Sequence, residues 1–401
     1  MKQLFQFYRT CIPFVFFFSF FLFSFGCVEE ANPVGANLIP KKDAQILKVD
    51  TLYATGHSTT YFPSNNSGTD RFFVGNYGSI TSWGLLQFQL FADTVFGRPI
   101  LSASVRLKVI SHQGDSLAEL SFVPYRMLAP FTGDSLTYDS LQANPSFYYD
   151  PTPMGKIFSR SHINDTEYIV FSLDTAVVRH WFLSLADTVN YGMLLMPTNT
   201  NVIKGFYSYS AADSAISPML TVTWLDTLGI VQTFHDTIST SRYLAYIDST
   251  SLNVNRKMLY VLSGVPYRGV LNFDVSKLPS PCVINNATLS IAQNTQLTQL
   301  SGYEPDSLMS TQINDDGSIG TTYSTSIDTT SSAGTPGHLH VLYKLDTRAA
   351  VQSWVENYIK TPRIEILGYG ESSTFDLHVM YGDTTISKEL CPKIIVTYSI
   401  K

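Results

Sequence analysis

From about residue 47 onward the chain is built of short runs rich in Val, Ile, Tyr, Phe and Thr, such as SVRLKVI at Ser104–Ile110 and LTVTW at Leu220–Trp224. Clusters of Gly, Asn, Asp, Ser and Pro separate them. Alternation of apolar and polar positions sends successive side chains to opposite faces, so each run predicts a strand with one buried face. Two sheets stacked about 10 Å apart would bury those faces together. Two segments change to helical spacing. Asp174–Leu185 places Val177, Val178, Trp181, Phe182 and Leu185 on one side, and Asp346–Ile359 does the same with Val351, Trp354, Val355, Tyr358 and Ile359. Trp181 and Trp354 are therefore expected as core anchors that pack a short amphipathic helix onto a sheet. Met127–Ile163, rich in Pro and Gly, reads as an elaborated loop, and Asn314–Gly337 as a Ser/Thr/Gly-rich one.

The runs recur in order. Gly84–Phe88 (GLLQF) matches Gly269–Phe273 (GVLNF), and Ile100–Leu107 matches Val283–Ser290. Phe171–Thr175 with Trp181 matches Tyr343–Thr347 with Trp354, and Ser217–Trp224 matches Cys391–Tyr398. One strand programme written twice predicts an all-β fold of two tandem jelly-roll β-sandwich domains, at 47–226 and 227–401, each with one short helix.

The first residues differ in kind. Lys2 and Arg9 precede an apolar run from Ile12 to Phe25, closed by Gly26-Cys27. The run is shorter than the roughly twenty residues that span a bilayer and suits a secretory signal. With Val28-Glu29-Glu30 following, it resembles a bacterial lipoprotein signal. That resemblance implies cleavage after residue 26, acylation of Cys27, a tether over 27–46 and an outer-membrane location facing the cell surface. The periplasmic face, a plain signal peptide and a single membrane anchor are the alternatives.

The motif order Gly/aromatic loop, "LLxFxL", "F-x-L-D-T…W" and terminal "P-x-L-x-V-T-Y/W" resembles the DNRLRE domain. This is a jelly-roll module related to carbohydrate-binding modules and to the TGF-β propeptide. The resemblance covers about 50–224 and 236–398, and the front end, with Cys27, Val34-Gly35 and Asp50-Thr51, resembles surface lipoproteins of the Bacteroidota. The family's arginine ahead of the "LLxF" strand stands as Trp83 in the first copy and as Arg268 in the second. The family implies the fold more than a function.

Composition narrows the chemistry. Only 14% of residues are charged and the formal net charge is −6 without a Lys/Arg run, which argues against a nucleic-acid partner. The sequence has no P-loop, dinucleotide glycine motif, GxSxG elbow or HExxH helix, so a non-catalytic protein is expected. Cofactors are expected to be none. Structural calcium at Asn65–Asp70 is the alternative, and Asn314-Asp315-Asp316-Gly317 reads as a solvated turn rather than a calcium loop. His338 and His340 read as surface histidines. In an oxidising compartment Cys282 and Cys391 are candidates for a disulfide, the alternative being two separate buried thiols. Tyr77, Trp83 and Tyr267 fall at inter-strand loops and are candidate stacking platforms for a sugar face, with Tyr148 and Tyr149 a second pair. The leading expectation is binding of polysaccharide, or adhesion. Next comes a structural envelope or matrix component that assembles with protein partners, and last a polysaccharide-degrading enzyme. The lipoprotein reading is checked by labelling cells with a fatty-acid analogue: the intact chain is expected to incorporate it and C27S to incorporate none.

Overall fold

The computed structural model describes residues 46–400, apart from 63–65, 67–68, 90–94, 96, 132–135, 164–165, 183–189, 199–200, 209–215, 249–254, 256, 266, 302–306, 329–340 and 384–386. Lys48–Ser399 form one compact unit, and residues 1–47 with Ile400 and Lys401 fall outside it. The fold is an all-β sandwich.

A leading strand, β1 (Ile46–Tyr61), comes first. The first repeat follows with β2 (Arg71–Tyr77), β3 (Ile80–Phe88), β4 (Ile100–Gly114) and β5 (Phe122–Met127). Helices α1 (Tyr138–Ala143) and α2 (Pro145–Tyr148) precede β6 (Tyr149–Pro153), β7 (Gly155–Ile163) and β8 (Thr166–Leu173). Helix α3 (Thr175–Trp181), β9 (Met193–Pro197), β10 (Val202–Tyr207) and β11 (Met219–Leu225) complete it. A second long strand, β12 (Val231–Ile247), opens the other half. It continues with β13 (Met258–Leu262), β14 (Tyr267–Phe273), β15 (Val283–Ala292), β16 (Leu308–Ile313), β17 (Ile319–Asp328) and β18 (Leu342–Asp346). Helix α4 (Arg348–Val355), β19 (Arg363–Gly368), β20 (Leu377–Tyr381) and β21 (Lys393–Ile400) end the chain.

The matched sequence blocks occupy matching places. β3 lies between a long strand on one side and β2 then β9 on the other, while β14 lies between a long strand and β13 then β19. Each repeat places its Trp helix directly after the strand that ends in Leu-Asp. Asp174 caps α3 by accepting a hydrogen bond from the Ala176 N–H at 2.8 Å. Trp181 and Trp354 are buried, and Trp354 stacks on Phe273 with ring centroids 6.1 Å apart.

The division at 226/227 does not separate the sheets. β1 precedes the first repeat but pairs with β14 and β21 of the second. β12 precedes the second repeat but pairs with β11 through residues 231–237 and with β3 through 238–247. The two leading strands are thus exchanged, and each is long enough to run beside two partners and curl its sheet back on itself. Strand alternation specifies which face a residue takes, not which repeat supplies its neighbour. The junction is packed: Phe73 meets Phe375 at 5.1 Å, Tyr243 Oη donates to the Ser372 carbonyl at 2.8 Å, and Asn66 Nδ2 donates to the Gly264 carbonyl at 3.1 Å. His57, on β1, pairs through Nδ1 with the Asp383 carboxylate just after β20.

Three local expectations change. The segment 127–163 carries α1, α2, β6 and β7 rather than a bare loop, and the polar stretch after Asn314 contains β17, which pairs with both β16 and β18. Cys282 and Cys391 are buried and free. Each stands just before its strand, and β15 and β21 are antiparallel neighbours, with Val283 opposite Ser399 and Ser290 opposite Lys393. Their starts therefore lie at opposite ends of one ladder, about seven residues or some 20 Å apart, far beyond disulfide reach.

The interior also holds a charge. Lys204 is fully buried, and its Nζ pairs with Glu167, which also receives Arg160 at 2.6 Å. Burial raises the Glu167 carboxyl pKa, but the hydrogen bonds from Lys204 and Arg160 outweigh it and hold the carboxyl below its ordinary value. A depressed carboxyl contributes stability that is present at neutral pH and lost as pH falls through its folded value.

Exchange makes the repeats unfold together. In urea denaturation W181A and W354A are each expected to shift one shared transition, by about 3–5 kcal/mol; two separate transitions, each moved by only one variant, would contradict the exchange.

Candidate functional site

The aromatic residues singled out from sequence do not converge. Trp83 is buried on β3, packed with Leu85, Leu194 and Leu244, and its ring lies 4.9 Å from Tyr138 of α1. It is part of a core and cannot serve as an exposed platform. Tyr148 and Tyr149 pack against the same cluster. Tyr267 leans on Tyr61 with centroids 5.2 Å apart, and burial raises its phenol pKa. Tyr61 is pushed up to about 12, by burial first and then by Asp139 and Tyr267. Tyr77 ends β2 half-buried at the junction of the repeats. Cys27, Asn65, His338 and His340 lie outside the described residues. Among the described residues no group of three or more His, Cys, Asp or Glu side chains is placed to hold a metal. The Asp315 carboxylate accepts the Lys360 and Thr361 N–H groups and ties the turn to the segment before β19, and Asp316 accepts the Ser318 N–H within the turn.

The site that emerges instead is found by laying one repeat on the other. Aligning Gly84 with Gly269 sets the row Leu244–Trp83 on Thr60–Arg268, and the row Arg242–Leu85–Leu194 on Ser58–Val270–Glu365. In the first repeat Trp83, Leu85, Leu194 and Leu244 make this outer face apolar apart from Arg242. A lid of Met127, Phe131, Leu136 and Leu141, partly from α1, closes it into a second core. In the second repeat the same face carries Arg268, Glu365, Thr60 and Ser58 and stands open.

It forms a groove of about 350 Å³. Ser58, Thr60 and Phe62 come from β1 and its end, Val270 and Asn272 from β14, and Arg363 and Glu365 from β19. Ile313 and Ile319 of the β16–β17 hairpin make an apolar wall. One wall is thus the exchanged strand. β1 is bulged between Ala54 and Gly56, and a Cβ on Gly56 would stand 3.0 Å from Asn272 Nδ2, so glycine there leaves room for the Asn272 amide.

Of the lining residues, Glu365 and Phe62 belong to an ordered network centred on Arg268. Arg268 donates to both oxygens of Glu371, Nε at 2.8 Å and Nη2 at 2.7 Å, and Nη1 reaches Glu365 at 3.2 Å. Its guanidinium sits 4.8 Å from the centre of the Phe62 ring. Glu365 is 2% exposed. Burial raises its pKa, Arg268 draws it down, and the net shift is upward. Arg363 Nη2 donates to the Asn314 carbonyl at 3.1 Å, while its Nε is buried without a hydrogen-bond partner. The sequence carried one signal of the site, the replacement of Trp83 by Arg268 at equivalent positions.

No family model and no curated protein matches the chain. Among solved structures, one similar in part is that of infectious bursal disease virus Gx strain, 13% identical over 88% of this chain and 77% of that one, with a TM-score of 0.10. That score carries no argument about fold or function.

Arg268 secures two acidic side chains. R268M leaves Glu365 uncompensated in the sheet and is expected to cost about 3–5 kcal/mol in chemical denaturation at pH 7. The sign for Glu365 itself follows from its raised pKa: its contribution favours folding in acid and falls away as pH rises through its folded value. Stability of E365Q measured from pH 4 to 8 is expected to lack that downward component; an unchanged pH profile would refute it.

Proposed function

We propose that the protein is an exported, lipid-anchored, non-catalytic surface protein that binds polysaccharide in the outer groove of its second repeat. One observation carries the reading: equivalent sheet faces are sealed by an apolar lid in the first repeat and left open, polar and charged in the second. A sugar presents hydroxyls at its edges and C–H groups on its faces. The groove offers amide, hydroxyl, carboxylate and guanidinium groups beside Ile313, Ile319 and Phe62. Cleft-shaped sites with a few convergent polar groups are the common form of ligand site. The likeness to DNRLRE modules agrees with this, and anchoring through Cys27 to the outer membrane rests on the lipoprotein-like signal.

A second reading, a structural component that assembles with envelope proteins, draws on the β11–β12 turn. There Asp226 accepts hydrogen bonds from the Leu228 and Ile230 N–H groups and from Gln232 Nε2, and Leu228, Ile230 and Val231 stand exposed.

Pull-down on a panel of insoluble polysaccharides, followed by calorimetry on soluble fragments, tests the first reading. The intact protein is expected to bind at least one member, and N272A with T60A to weaken it at least about tenfold, from the loss of two or more ligand hydrogen bonds. Absence of binding across the panel, together with co-purification of L228D-sensitive protein partners, would replace it with the second.

A further inference from the structure

A second concavity lies where the repeats meet, beside two hairpin turns of unequal length, 78–79 and 263–266. In the second repeat the β13–β14 turn is filled. Gly264, at φ +79°, is followed by Val265, which is fully buried in the core of the first repeat beside Leu262 and Phe375. A Cβ on Gly264 would come within 2.4 Å of the Phe375 ring. The corresponding β2–β3 turn has Gly78, at φ +56°, followed by Ser79. A Cβ on Gly78 would meet nothing within 4 Å. Beside this turn lies a pocket of about 240 Å³ with Ile80, Ile247, Leu377 and Val379 among its walls, Tyr77 and Ser79 at the turn and Gln299 on its lining. Ile80, Ile247 and Val379 are buried, whereas Gln299 is exposed.

We propose that this junction pocket binds a single apolar ring bearing one polar substituent, a monocyclic phenol being the simplest example. Aliphatic walls joined by the Phe375 and Tyr260 rings favour an apolar ring over a charged or heavily hydroxylated ligand, since desolvating such groups without partners is costly. A cavity of about 150 Å³ lined by aliphatic and aromatic side chains suffices for benzene, so this one has room for a ring and a substituent. The exposed amide of Gln299 gives that substituent a hydrogen-bonding partner at the solvent side. Both repeats contribute walls, so occupancy also stabilises the junction. The site is separate from the outer groove and does not depend on polysaccharide binding.

The test uses the full-length protein with p-cresol and toluene as probes. Titration of p-cresol is expected to shift the methyl resonances of Ile80, Leu377 and Val379 saturably and to raise the melting temperature. Toluene should bind about fivefold more weakly, the worth of one net hydrogen bond. S79V, which adds bulk to the pocket lining, is expected to abolish the shifts while the protein stays folded. Q299A, at an exposed position, is expected to remove the preference for p-cresol over toluene. Absence of saturable shifts up to the solubility of p-cresol would overturn the proposal, as would shifts that S79V and Q299A both leave unchanged.

Discussion

Everything in this molecule depends on two long strands that serve the wrong neighbour. β1 and β12 each supply main-chain hydrogen bonds to two strands of the other repeat. Backbone groups in a sheet must be paired, so neither sandwich is complete without its counterpart. The exchange converts what reads as two beads into one cooperative body. It also brings the β2–β3 and β13–β14 turns to the junction and makes β1 one wall of the groove.

Within that frame the repeats have diverged by sealing or opening equivalent surfaces. Trp83, Leu85, Leu194 and Leu244 gain by leaving water beneath Met127, Phe131, Leu136 and Leu141. Among the described residues the second repeat has no such lid. Its face instead carries Arg268, tied to Glu365 and Glu371. Buried ion pairs contribute little net stability beside well-packed apolar groups. A face that keeps Arg268 and Glu365 where its twin keeps Trp83 and Leu194 therefore carries a feature that folding alone does not require.

Much of the architecture was legible in the chain. The GLLQF and GVLNF blocks became equivalent strands β3 and β14, and the helical spacing around Trp181 and Trp354 became α3 and α4. What escaped was pairing. Alternation along Ile46–Tyr61 tells which side chains are buried but contains nothing about whether β3 or β14 lies alongside. The same ignorance made Cys282 and Cys391 look bridgeable, because sequence placed each before a strand without revealing that the two strands run antiparallel side by side. β17 was missed because Ser and Thr are common both to loops and to strands with a solvated face. Glu365, in RIEILG, resembles any polar position of an alternating strand; only its register against Val270 shows that it replaces Leu194.

The most direct measurement cuts the backbone where a tandem pair would divide. A protease site placed at the exposed Leu228 of the β11–β12 turn separates β1–β11 from β12–β21. Exchange predicts that the nicked protein stays a one-to-one complex on native mass spectrometry, and that the fragments part only on unfolding. Release of two independently folded fragments, each with its own closed sandwich, would contradict the account.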